Sequence, residues 1–264
     1  MKTIEEIKVS VIIPCYNVED CIHTAVDSVL NQTHPNIELI CIDNNSSDST
    51  WNILQEITEK NDNVLITQQM IKGPCPTRNK GIEMASGKWI QFLDADDFIE
   101  SEKIGYQLEV AGKAGLLDEE AIVVGQKIWK RVDGSVVRNI LTEDKWRDLI
   151  QGRLGDTCAN LWSESIVRKV GGWNENLPSS TEVDLQFRML KAGAKVVYDE
   201  RVLTIIIERS SGSITKADPV ENYVRVIRQR LDIRSYIAQH EDLKKHMDFL
   251  HHFVYNNLKL IYSK

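Results

Sequence analysis

The chain has 264 residues, enough to bury a sizeable core in one large domain or two small ones. With 42% hydrophobic and 27% charged residues it has the composition of an ordinary globular protein, and a net charge of −7 argues against a general nucleic-acid-binding face. Five cysteines (Cys15, Cys21, Cys41, Cys75 and Cys158), none in a CxxC pair, speak against zinc ligation or a disulfide framework and point to a reducing cytosol.

The opening "MKTIEEIKVS" alternates charge with apolar residues and lacks the continuous apolar stretch of a signal peptide. No run approaches the roughly 20 apolar residues of a membrane-spanning helix. The expected location is cytoplasmic, with peripheral attachment at the inner face of a membrane left open.

"VSVIIP", residues 9–14, is a β-branched run stopped by proline and reads as a buried strand. A helix follows, with Ile22, Ala25, Val26, Val29 and Leu30 on one face. "IELICID", 37–43, is a second buried strand, and Asp48 or Ser49 is placed to cap the helix in "TWNILQEITEK". "NVLITQQ" is a third strand, "PTRNKGIEMASG" a helix stopped by Gly87, and "KWIQFLD" a fourth strand. This alternation is the pattern of an open, largely parallel α/β sheet, in which ligands bind beyond the carboxyl ends of the strands. Tyr16 with Asn17, Asp43 with Asn44, and Asp94 with Asp96 and Asp97 all fall at such ends.

Beyond Asp97 the pattern predicts a helix over 101–116 and a hairpin turning at Asp133-Gly134. Helices are expected near 143–152, in "ESIVRKVGGWNENL" and in "TEVDLQFRMLKAG", then one or two strands in "AKVVYDERVLTIIIE". From Pro219 onward two helices complete the chain. Their cations, among them Arg225, Arg228, Arg230 and Arg234, are interleaved with acids and read as a solvated face rather than a membrane anchor.

"FLDADDF" (92–98) packs Asp94, Asp96 and Asp97 into four positions. Like charges this close raise one another's pKa. The arrangement suits either a hard divalent cation, which favours oxygen ligands, or an acidic turn in which Asp97 or Ser101 caps the next helix.

"VSVIIPCYN", "CIDNNSSDST", "RNKGIEMASGKWIQFLDADD", "GGWNENL" and "TEVDLQFRMLKAG" occur in this order over residues 8–215. Together they resemble the family-two, inverting glycosyltransferases of the GT-A fold. The resemblance implies an α/β, Rossmann-like, open and twisted, mostly parallel sheet flanked by helices. It would span 1–215, with 1–97 as the nucleotide-binding half and 98–215 as the acceptor-binding half. Residues 216–264 would form a C-terminal helical extension.

The implied function is transfer of a sugar from a nucleoside-diphosphate sugar to a hydroxyl of a glycan or lipid-linked acceptor, as in bacterial surface polysaccharide or glycoconjugate synthesis. UDP is the nucleotide by family habit, and Mn²⁺ or Mg²⁺ the cofactor. Asp94-Ala95-Asp96 would be the DxD element, with Asp96 on the metal and Asp94 on the ribose or the metal's water shell. Pro14, Tyr16 and Asn17 would line base and ribose, Asp43 would accept hydrogen bonds from the base, and Arg78 would stand near the diphosphate. Glu182, six residues before Arg188, would be the general base, with Asp184 as second choice. Asn160, Trp162 and Trp173 would face the acceptor.

Two positions depart from the family pattern. Thr181 stands where an acid is usual, and Ser210, beside Arg209, stands where many relatives carry a histidine near the metal. They keep a catalytically degenerate nucleotide- or glycan-binding module in view. A sugar nucleotidyltransferase is disfavoured, since "PCYNVED" has neither the glycines nor the cation of that class's phosphate loop.

Overall fold

The computed structural model describes residues 3–138, 140–208 and 219–262. The expected strand–helix alternation is present. Strands β1 (Val9–Cys15), β2 (Ile37–Asp43), β3 (Val64–Gln68) and β4 (Trp89–Phe92) alternate with helices α1 (Ile22–Leu30), α2 (Thr50–Thr58) and α3 (Pro74–Met84). Then come β5 (Phe98–Ile99), α4 (Lys103–Lys113), β6 (Ala121–Lys130), β7 (Val136–Arg138), α5 (Lys145–Gln151), β8 (Leu161–Ser163), α6 (Glu164–Lys169), α7 (Thr181–Lys191) and β9 (Lys195–Ile207). Two helices, α8 (Pro219–Ala238) and α9 (Met247–Tyr262), end the chain as expected.

Among the described residues all nine strands join one sheet, in the order β3-β2-β1-β4-β8-β6-β9-β5, with β7 paired to β6. The pairs β2–β3, β1–β2 and β1–β4 are parallel, as the sequence pattern predicts. Past β4 the sheet becomes mixed: β8 runs antiparallel to both β4 and β6, while β6 and β9 run parallel. Side chains alternate across the pleat, so Val11 and Ile13 join one core and Ile12 the other. The first core packs α1, α2 and α4 on one face; the second packs α3 and α5 to α9 on the other. Gly81 lets α3 lie close on the sheet, since a Cβ there would stand 2.4 Å from Ile12 Cγ2. That approach brings Arg78, one turn earlier, toward the tips of β1 and β4.

The cap expectations resolve in two ways. Asp48 Oδ1 accepts the Thr50 N–H at 3.0 Å at the start of α2. Neither Asp97 nor Ser101 caps α4, whose N-cap residue is Glu102. Asp97 is instead 4% exposed and accepts the Ile207 N–H at 2.9 Å, fastening the end of β9 to the turn after β4.

Candidate active site

A cavity of about 610 Å³ opens at the carboxyl ends of β1 and β4. Pro14 and Tyr16 line one wall, Arg78 with Asp94, Ala95 and Asp96 the floor, and Pro178 to Glu182 the opposite wall. Arg78 is 5% exposed, donates from Nη2 to Asp94 Oδ1 at 2.6 Å, and lies 4.7 Å from the centre of the Trp173 ring. Burial opposes its charge, but Asp94 and then Glu182 more than compensate and raise its pKa above the ordinary value. Arg78 lines the cavity, while its Nε is buried and has no hydrogen-bond partner among the described residues.

Asp43 and Asn17 lie behind this wall, not on it. Asp43, 1% exposed, accepts the Ser46 N–H at 3.3 and 3.4 Å and the Gln68 amide at 3.2 Å. Asn17, with φ of +49°, accepts the Ser47 N–H at 2.8 Å and ties the β1 turn to the β2 turn. Asn44, which does line the cavity, donates to the carbonyls of Gln69 and Ile71 at 2.7 and 2.8 Å and accepts the Gly73 N–H at 2.8 Å. It sets the course of the loop leading into α3.

Carboxylate crowding in the 94–97 turn is expressed at Asp97. Burial first, and Asp94 next, push its pKa up to about 8. Asp94, Asp97 and Cys158 bring potential ligand atoms within 4.8 Å of one another. Cys158, however, is buried, its thiol pushed well up by burial, and lies 3.5 Å from Asp97 Oδ2. A protonated thiol is a poor ligand for a hard cation. Asp94 and Asp96 both line the cavity.

Two carboxylates at the start of α7 are distinguished by their partners. Asp184 Oδ2 accepts from Arg188 Nε and Nη2 at 2.9 and 2.7 Å and does not line the cavity. Glu182 does line it, and its Oε1 accepts a 2.7 Å hydrogen bond from the hydroxyl of buried Thr157. Gly155 makes the Thr157 loop possible: φ is +70° and a Cβ would fall 1.7 Å from Asn160 Oδ1. The segment before α7 is held from outside the sheet. On α8, Asn222 accepts from the Ser179 hydroxyl, Arg225 Nε donates to Ser179 Oγ at 2.9 Å, and Gln229 donates to the Ser180 carbonyl at 2.9 Å.

The acceptor-facing expectation for Asn160, Trp162 and Trp173 is corrected. Trp162 is fully buried in β8, edge-on to Phe92 at 6.4 Å, because β8 inserts between β4 and β6. Asn160, equally buried, accepts the Gly125 N–H and donates to the Leu154 carbonyl. Trp173, 2% exposed, packs between Phe92 and Arg78. None of the three lines the cavity. Arg209 and Ser210 lie outside the described residues. Thr157 and the α8 side chains are the site residues that sequence reasoning missed; Thr157 sits in a segment legible only as a loop.

The sequence pattern of the family described as "Glycosyl transferase family 2" matches residues 10–160. A poly(ribitol-phosphate) beta-glucosyltransferase of Bacillus spizizenii is 42% identical over 101 residues, 37% of this chain and 16% of that protein. WfaP of Escherichia coli, a UDP-Glc:alpha-D-GlcNAc-diphosphoundecaprenol beta-1,3-glucosyltransferase, is 40% identical over 100 residues, 38% of this chain and 39% of that one. The chain thus spans well under half the length of either relative. The crystal structure of S. aureus TarS 1-349 in complex with UDP-GlcNAc superposes with a TM-score of 0.73 at 20% identity, covering 92% of this chain and 70% of that one. The likeness to this structure is one of fold, the GT-A fold.

Proposed function

The chain belongs to glycosyl transferase family 2, and from that premise we propose that it transfers a sugar, with inversion, from a UDP-sugar to a hydroxyl of a glycan or lipid-linked acceptor. The observation that carries this reading is the convergence of Arg78, Asp94, Asp96 and Glu182 on one cavity. Residues 1–97 form the donor half, with Tyr16 and Pro14 beside base and ribose and Asp43 behind them. Residues 98–215 form the acceptor half, which carries the base, and 216–264 brace it. The setting is cytoplasmic, peripheral to a membrane; no described helix is long and apolar enough to cross one.

Glu182 takes the proton of the acceptor hydroxyl as that oxygen attacks the anomeric carbon from the face opposite the diphosphate. The carbon–oxygen bond to the diphosphate breaks, the electron pair leaves with it, and configuration inverts. A positioned base contributes about 10²–10⁴-fold. Glu182 holds this role rather than Asp184, whose Oδ2 is committed to Arg188. Thr157 leaves the remaining lone pairs of Glu182 open to the acceptor. Arg78, which lines the cavity, supplies its guanidinium charge to the leaving diphosphate. Asp94 and Asp96 would hold Mg²⁺ or Mn²⁺, which supplies Lewis-acid neutralisation of the departing charge.

The test is incubation with UDP-sugars and glycan acceptors, with and without Mn²⁺, reading anomeric configuration by NMR. Metal-dependent product of inverted configuration is expected. Nucleotide binding without turnover across a broad acceptor panel would instead leave a binding module.

A further inference from the structure

Exposed apolar side chains gather on the edge of the molecule that carries the cavity. Strands β3, β2, β1 and β4 run parallel, and the two antiparallel steps through β8 return β6 to the same direction. The loop after β3 and the β6–β7 hairpin therefore leave the sheet by the edge where Asp94 and Tyr16 lie. Five strand spacings separate them, about 24 Å, with the cavity between. In the first, Met70 and Ile71 are 68% and 61% exposed; in the second, Trp129, Val132 and Val136 are 42%, 63% and 56% exposed.

Neither segment is loose chain. Asn44 pins the loop by three hydrogen bonds, and the hairpin is closed by its ladder and by the Arg131 N–H to the Ser135 carbonyl at 2.9 Å. Single exposed apolar residues need no explanation. Here they are interleaved with Lys72, Lys130, Arg131 and Arg138 against two acids, Asp133 and Glu208, whose Oε2 accepts the Val132 N–H at 3.4 Å, in a chain of net charge −7. Apolar tips set among cations are the chemistry of an anionic lipid interface. The C-terminal helices offer less: Arg225 reaches back to Ser179, and Arg230 is buried against the Ile150 carbonyl.

We propose that this edge rests on an anionic lipid surface, the 69–73 loop on one side of the cavity and the β6–β7 hairpin on the other. The cavity then opens toward an acceptor carried in the membrane, which deepens the acceptor reading of the previous subsection and rests on it. Full-length protein is sedimented with vesicles of phosphatidylcholine alone or mixed with phosphatidylglycerol, without donor or acceptor. It should sediment with the mixed vesicles at low salt and be released by high salt. Arg131→Glu should lower the bound fraction at least about fivefold, and the pair Met70→Ser, Ile71→Ser should weaken binding while the rise in melting temperature on adding UDP stays unchanged. The proposal is overturned if wild type stays in solution with both vesicle types, or if both variants sediment like wild type. It is equally overturned if Val132→Asp abolishes a dimer seen by light scattering while vesicles bind nothing, since a second copy then covers the edge. Protein that ignores vesicles yet glycosylates a soluble acceptor sinks the docking and spares the transfer reading; protein that sediments without any transfer does the reverse.

Discussion

The β1–β4 half of the sheet and the half beyond it bury charge in opposite ways. At the foot of the first half, away from the cavity, Glu38 accepts from Ser10, from the Ser86 and Gly87 N–H groups and from Lys8, joining the starts of β1, β2 and β4. Burial pushes this carboxyl up, but those hydrogen bonds prevail and bring its pKa to about 2. In the second half, fully buried Lys103 donates to the amide oxygens of Gln91 and Gln107, and burial brings its pKa down to about 7. One charge is satisfied outright and the other is held by neutral groups. The half through β4 alternates parallel strands with helices, whereas the half beyond it sets the two longest strands, β6 and β9, among the short β5, β7 and β8.

The largest expected effect separates the two halves by function. Glu182→Gln keeps the hydrogen bond from Thr157 within reach but removes the base. Transfer should fall about 10²–10⁴-fold with UDP stabilisation intact. Arg78→Met should reverse that pattern and abolish the thermal shift with UDP. Loss of UDP binding in Glu182→Gln would break the division into a binding half and a chemistry half.

Stability gives the next contrast. Because the Glu38 pKa is depressed from 4.5 to about 2, its contribution is present above pH 4.5 and is lost as pH falls toward 2. At about 1.4 kcal/mol per unit, Glu38→Gln should cost on the order of 3 kcal/mol at neutral pH, and the loss should shrink in acid. Urea titrations of both proteins at pH 7 and pH 3 check this; an equal difference at the two pH values would remove the charge from the explanation.

Lys103 gives a slope of the same sign in a higher pH window, but here burial opposes the charge instead of partners stabilising it. Its amine binds protons less readily when folded, so between pH 7 and about 10 the unfolded chain holds more protons and stability rises with pH. In Lys103→Met that rise should disappear. At pH 7 the variant should lie within about 1 kcal/mol of wild type, since relief from burying a charge offsets two amide oxygens left without a donor. A parallel pH dependence in both proteins would show that another group drives the rise.

The same division explains what was legible in the sequence. β1, β2 and β4 are β-branched or aromatic runs ending in polar residues, so period and punctuation located both the strands and the 94–97 turn. "LWS" and "FI" are too short to show a period, yet β8 occupies the centre of the sheet. That insertion turns Trp162 from an expected sugar platform into core. The family resemblance nominated Glu182 with Asp184 as second choice, and in the structure Glu182 lines the cavity while Asp184 is bound by Arg188. Contacts distant in the chain, Thr157 to Glu182 or α8 to Ser179, have no local signature.

The smallest expected effect concerns whether the C-terminal helices belong with the acceptor half. Asn222, Arg225 and Gln229 stand at i, i+3 and i+7 on α8, one face of the helix, and all three engage Ser179 or Ser180. Ser180 has φ of +56°, which a non-glycine residue holds only when its surroundings impose it. It directly precedes Thr181 and Glu182, so the stripe braces the first turn of α7 and with it Glu182. Gln229→Ala should lower kcat about fivefold, the positioning worth of one hydrogen bond, with KM for the donor unchanged. Arg225→Lys, which keeps the charge and a donor, should fall by less than Arg225→Ala. If kcat holds while melting temperature drops, α8 is a buttress for the fold and the acceptor half ends with the sheet.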